Sequence, residues 1–125
     1  GILSIAAAKL GAGDTVGVDV DEQALEAARA NAAANHVSAR YTGPDNLHAG
    51  SFDIVVANIL SNPLKILAPA LLARVAPRGA LVLSGVLERQ SDDVIATYKA
   101  VDPTLTLHVW RASEGWVCLA GTRTA

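Results

Sequence analysis

Three short runs rich in β-branched and apolar residues, Thr15–Val20, Phe52–Asn58 and Gly79–Gly85, are separated by segments with helical spacing. Runs of this length, nearly continuous in apolar residues, are what strands buried on both faces require. Strands that alternate with helices imply a parallel sheet joined by right-handed crossovers. The expected class is therefore α/β. In such sheets ligands sit beyond the carboxyl ends of the strands.

The elements between these runs read as follows. Gly1–Leu10 has the pattern of a helix already in progress, with Gly11 as its stop. Asp21 is placed to cap a helix from Glu22 to Asn35, with Ala24, Leu25, Ala28 and Ala32 at helical spacing. His36–Tyr41 reads as a modest strand and Gly43–Asn46 as a loop. Asn62-Pro63 opens a helix whose buried face is Leu64, Leu67, Ala68, Leu71, Leu72 and Val75, with Pro77 as its stop. Ser91–Val101 reads as a helix with Val94, Ile95 and Tyr98 inward. Leu105–Ala112 and Trp116–Thr122 alternate about Glu114-Gly115, the mark of an antiparallel hairpin.

Composition narrows the function classes. The 125 residues suit one domain, 51% of them are hydrophobic and only 4% aromatic, which favours helices on a parallel sheet over a sandwich. Net charge is −2 with no basic run, so nucleic-acid binding has no electrostatic support. The single cysteine, Cys118, excludes an intrachain disulfide and suits a reducing compartment, and it reads as a small core residue on a strand. Pro, Lys or Arg interrupts every apolar stretch short of the roughly 20 residues a membrane span needs. No basic n-region or cleavage site marks a secretory signal, and the expected location is the cytoplasm. The chain lacks Met and opens inside a helical pattern, so it is expected to be part of a longer protein.

The carboxyl-end rule selects three positions. Asp19 ends its strand 18 positions after Gly1, where a carboxylate is suited to accept hydrogen bonds from the ribose hydroxyls of an adenosine. Helix capping is the rival role, and Asp21 is better placed for it. Gly1 heads a helix, where backbone N–H groups favour an anion: pyrophosphate in a dinucleotide, the methionine carboxylate in a methyl donor. Asn58 follows the most hydrophobic strand. Its amide oxygen is able to accept an amine's hydrogen bonds and aim the nitrogen lone pair for an in-line displacement. By position alone it is equally a residue that ends a strand and begins a turn. Gly43–Leu47 is placed either to border an adenine or to serve as a plain turn.

Other chemistry lacks its residues. His36, His48 and His108 are scattered without partners at ligand spacing, so no metal is expected. Ser84 and Ser91 carry no nucleophile-elbow pattern. Trp110 and Trp116 are expected to face each other across the hairpin as packing rather than as ligand platforms. No dedicated base is visible for deprotonating an amine. An oxidoreductase half that binds NAD stays open, because Gly1 and Asp19 suit a dinucleotide equally well. A non-catalytic binding module with the same fold is a second alternative.

Gly1-Ile2-Leu3-Ser4-Ile5-Ala6 resembles the end of the D-x-G-x-G-S-G-I-L-x-I-A motif of class I methyltransferases, and Val16–Asp21 with Arg29-x-Asn31 resembles their second motif. Asp53–Leu60 with Pro63-Leu64 and Leu67-Ala68-Pro69, Leu83–Glu88 with Gln90, and Trp116–Arg123 are more specific. Together they resemble the PrmA-type methyltransferases of the large-subunit ribosomal stalk protein, over nearly the whole chain. The resemblance implies a Rossmann-like sheet and S-adenosylmethionine as cofactor. It implies trimethylation of lysine side chains and of the N-terminal amine of the ribosomal protein. Gly1 and Asp19 are then cofactor-binding, and Asn58 lies at the methyl group as both a cofactor-binding and a catalytic residue. A different amine is the alternative substrate. The resemblance also implies that residues 1–125 are a partial C-terminal catalytic domain. A first strand belongs between those at Val16–Val20 and Phe52–Ala57, and an upstream domain recognises the substrate. Alone, the 125 residues are expected to be poorly stable and inactive.

Overall fold

The computed structural model describes residues 2–43 and 50–124. The chain divides into two compact units, Gly1–His48 and Ala49–Ala125. In the first, helix α1 (Ile2–Lys9) precedes strand β1 (Val16–Val18), helix α2 (Glu22–Ala34) and strand β2 (Arg40–Thr42). β1 and β2 pair in parallel, Val16 opposite Arg40 and Val18 opposite Thr42. The core is small: Leu25, Ala28 and Ala32 of α2 pack with Tyr41, and Ile5, Val37 and Ala39 lie against them. The expected α2 face is thus the buried one, because positions three and four apart share a side of a helix.

The strand expected at His36–Tyr41 begins only at Arg40. His36 takes φ of +56°. Its N–H bonds the Ala33 carbonyl, and that of Val37 bonds the Ala32 carbonyl. His36 therefore closes α2 in the left-handed conformation that glycine usually supplies, a substitution that hides the helix end from a reading based on residue type.

In the second unit, strand β3 (Phe52–Asn58) leads through helices α3 (Ser61–Ile66) and α4 (Ala68–Leu72) to strand β4 (Val75–Leu87). A short turn at Glu88–Gln90 leads into helix α5 (Ser91–Val101), followed by strands β5 (His108–Ser113) and β6 (Trp116–Thr122). The sheet order is β3-β4-β6-β5, with β3 and β4 parallel and the last two strands antiparallel. The hairpin turns at Glu114 and Gly115, as expected. Leu64, Ala68 and Leu72 of the short helices, Val94 and Tyr98 of α5, and Leu81, Leu83, Val117 and Leu119 of the sheet form the core. Each of the larger side chains contributes roughly 1.5–3 kcal/mol by leaving water.

The single helix expected from Asn62 to Val75 is broken at Leu67. Pro69 has no N–H to continue α3, so a new helix starts with the proline in its first turn, where no N–H is needed. Pro77 does not end a helix. It lies in the irregular part of β4 where the register against β3 shifts between Phe52 and Ile54.

The closing motif is explained by packing. A Cβ on Gly121 would stand 2.5 Å from the Thr106 carbonyl oxygen and 2.8 Å from the Leu107 Cα, so only glycine lets the Leu105–Leu107 segment reach the core. Arg123 donates to the carbonyls of Leu72 (3.1 Å) and Val75 (2.8 Å), and its Nε lies 2.8 Å from Asp102 Oδ2. That last contact joins opposite charges without the alignment of a straight hydrogen bond. Among the described residues β1 pairs only with β2 and β3 only with β4, so each keeps one unpaired edge. Ile54 and Val56 of β3 and Val18 of β1 are exposed.

Candidate functional site

In the first unit the site begins where β1 ends. The Asp19 N–H still bonds the Thr42 carbonyl, 3.2 Å, which holds the backbone in line with the sheet. Its side chain then turns back: Oδ1 accepts from the Asp21 N–H at 3.0 Å. Asp21 in turn caps α2 by accepting from the Gln23 N–H, also at 3.0 Å. The division of labour expected from the sequence holds for Asp21, but Asp19 is not wholly spare. One of its oxygens fixes the turn, which orients the carboxylate. Oδ2 has no partner among the described residues, and the residue is exposed to solvent. Gly1 and residues 44–47 of the adenine-loop candidate lie outside the described residues.

In the second unit Asn58 is the last residue of β3, opposite Ser84 of β4. Its side-chain amide makes no hydrogen bond among the described residues and is exposed. The β4–β6 register shifts at this level: Leu83 faces Leu119 and Val86 faces Val117, which leaves Ser84 and Gly85 opposite Cys118 alone. A second shift, between Val109 and Arg111, leaves Trp110 as the extra residue of β5. Such bulges bend a strand and re-aim its side chains. The result is a cleft of about 440 Å³ lined by Asn58, Ile59, Leu60, Ser84, Gly85 and Trp116. Its walls are largely apolar, and the Asn58 amide is its main polar group.

Trp116 was expected to face Trp110. It pairs instead with Ser113 and Leu87, and it lines the cleft. Trp110 is stacked by the Arg111 guanidinium, 4.7 Å from the ring centroid. The sequence places both rings on the hairpin, but the bulges that set their register have no signature beyond Gly85. Cys118 is half-buried on β6. Among the described residues no three His, Cys, Asp or Glu side chains gather as a metal site, and no helix is long and apolar enough to cross a membrane.

Solved structures place this fold. Over 99% of the chain and 65% of the other, it superposes with a TM-score of 0.89 and 28% identity on a ribosomal protein L11 methylase of Lactobacillus delbrueckii subsp. bulgaricus. An RNA methyltransferase from Salinibacter ruber, in complex with S-adenosyl-L-homocysteine, matches 98% of the chain and 74% of its own at a TM-score of 0.70 and 19% identity. The fold is the Rossmann-like α/β fold of class I methyltransferases. The family "Ribosomal protein L11 methyltransferase (PrmA)" matches residues 1–124, and the chain belongs to that family. Proteins called ribosomal protein L11 methyltransferase in Ralstonia pickettii and Cupriavidus taiwanensis are 59% and 60% identical over 123 residues, which is 98% of this chain. The chain spans 40% of the length of these two relatives.

Proposed function

We propose that this chain is the C-terminal, cofactor-binding part of an enzyme that methylates ribosomal protein L11 with S-adenosylmethionine, and that the acceptors are lysine side chains and the N-terminal amine. A separate upstream domain grips the ribosomal protein. Family membership supports the substrate, since the relatives carry that name. The single observation that carries the chemistry is the Asn58 amide, without a hydrogen-bond partner among the described residues, at the carboxyl end of β3 and opening onto a largely apolar cleft.

The residues fit the cofactor. Asp19 Oδ2, without a partner among the described residues, is suited to accept from a ribose hydroxyl, and Oδ1 keeps the carboxylate in place through the Asp21 N–H. Gly1, which precedes Ile2 in the sequence, is assigned to the carboxylate of the methionine end. When bound, S-adenosylmethionine supplies an electrophilic methyl on a sulfonium. Asn58 contributes to its binding at that end and acts as the catalytic residue: Oδ1 accepts a hydrogen bond from the incoming neutral amine and points the lone pair along the line of attack. Ile59, Leu60 and Trp116 present apolar surface along the same cleft. No protein base is needed if the amine enters deprotonated, and the product's extra proton leaves to solvent.

Asp19→Ala removes charge-assisted hydrogen bonds, each worth about 1.5–3 kcal/mol, and is expected to weaken cofactor binding by roughly 10- to 100-fold. Isothermal titration of the enzyme with S-adenosylmethionine measures this directly. An unchanged dissociation constant would remove Asp19 from the site.

A further inference from the structure

We infer that Gly85 is a positioning residue for Asn58, and that the bulge it forms with Ser84 holds the Asn58 amide in its working orientation. The inference rests on the reading of Asn58 as the group that aims the amine.

Gly85 takes φ of +82°, and an added Cβ would meet the Ile59 carbonyl oxygen at 2.5 Å, the Ile59 carbonyl carbon at 3.0 Å and Asn58 Oδ1 at 3.1 Å. Three neighbours of one missing side chain thus belong to the segment that leaves β3, and one is the catalytic amide oxygen itself. The Ile59 carbonyl, in the segment that leaves β3, lies in the space that a Cβ at position 85 would fill. Asn58 makes no hydrogen bond among the described residues that would set its χ angles, so the close approach of the Gly85 backbone is what limits its rotation. The bulge explains why the approach is so close. Ser84 and Gly85 together face Cys118, which pushes the extra backbone length of β4 toward the Asn58 rung. The same distortion carries the strand on to Leu87, whose partner Trp116 forms the opposite wall of the cleft. One bulge therefore adjusts both the polar end and the apolar wall.

A purely conformational role for Gly85 makes a different prediction, because Asn tolerates positive φ far better than Ala. Gly85→Asn introduces the Cβ with less backbone strain than Ala would bring. If the close approach matters, Gly85→Asn lowers kcat by on the order of 100-fold, as a displacement of about 1 Å does at a reacting centre. The KM for S-adenosylmethionine stays within about threefold. Gly11→Asn, at φ +99° with nothing within 4 Å of its added Cβ, is the control and leaves kcat unchanged. The double variant Asn58→Ala/Gly85→Asn decides whether one residue acts through the other: it is expected to be no slower than Asn58→Ala alone. Full kcat in Gly85→Asn, or losses that multiply in the double variant, would overturn the proposal. Full kcat in Asn58→Ala would instead overturn the reading of Asn58. Should Gly85→Asn fail to fold, NMR relaxation of the Asn58 side-chain amide in the unaltered enzyme gives a second test. An order parameter near 0.85 is expected, and one below about 0.6 contradicts a held amide.

Discussion

Asn58→Ala is expected to lower turnover by on the order of 100-fold while the affinity for S-adenosylmethionine changes by less than about threefold. The asymmetry follows from where the residue stands. Its amide has no hydrogen bond to lose among the described residues, so truncation leaves the fold of β3 intact. On the proposed role of Asn58, what is lost is the acceptor that turns the amine's lone pair toward the methyl group, an interaction that matters most as the new bond forms. Radiolabelled methyl transfer gives kcat, and calorimetry gives the dissociation constant. Equal losses in both would mean that Asn58 serves cofactor binding alone.

Arg123→Ala is expected to have the largest effect on stability, a loss of roughly 3 kcal/mol. The side chain ties three parts of the second unit: the end of α4 through Leu72, the start of β4 through Val75, and the Asp102 carboxylate after α5. Removing it leaves a nearly buried carboxylate without its countercharge, along with two carbonyls that lose their donor. The ion pair also sets a pH dependence. Hydrogen bonds from Thr104, together with the Arg123 guanidinium, hold the Asp102 carboxyl below the ordinary carboxylate range, against the opposing effect of burial. A depressed folded-state value stabilises the protein above the unfolded pKa of about 4. That contribution is lost as pH falls through the lower folded value. Urea unfolding of the enzyme should therefore show the Arg123→Ala penalty at neutral pH, and a smaller one once Asp102 is protonated. A penalty that does not change with acidity would show that packing, not charge, gives Arg123 its weight.

The parts of this molecule legible in its sequence are those where one periodicity dominates. β3 and α5 begin and end where their apolar patterns do, at Phe52–Asn58 and Ser91–Val101. The carboxyl-end rule led to Asp19 and Asn58, and the structure puts both at the ends of their strands. The misreadings share a cause: the deciding interaction is made by backbone groups that residue type does not report. His36 ends α2 in a conformation normally marked by glycine, and Pro69 divides a helix whose apolar face continues unbroken across the division. The cleft is the clearest case. Trp116 reaches it because two bulges flank Cys118, and a bulge shifts register by one residue without changing the alternation that announces the strand. The position of Asp19 at the exit of β1 was legible, but not its part in the turn, since the bond from Asp21 N–H depends on the exact exit of β1.

The most direct test of the whole account is methyl transfer itself. Tritiated S-adenosylmethionine, the enzyme that carries this chain and purified ribosomal protein L11 are incubated together, and the protein is hydrolysed to its amino acids. Label is expected in L11, recovered as methylated lysine and as the methylated N-terminal residue. Saturating cofactor binding with no label in L11 would contradict the proposed function.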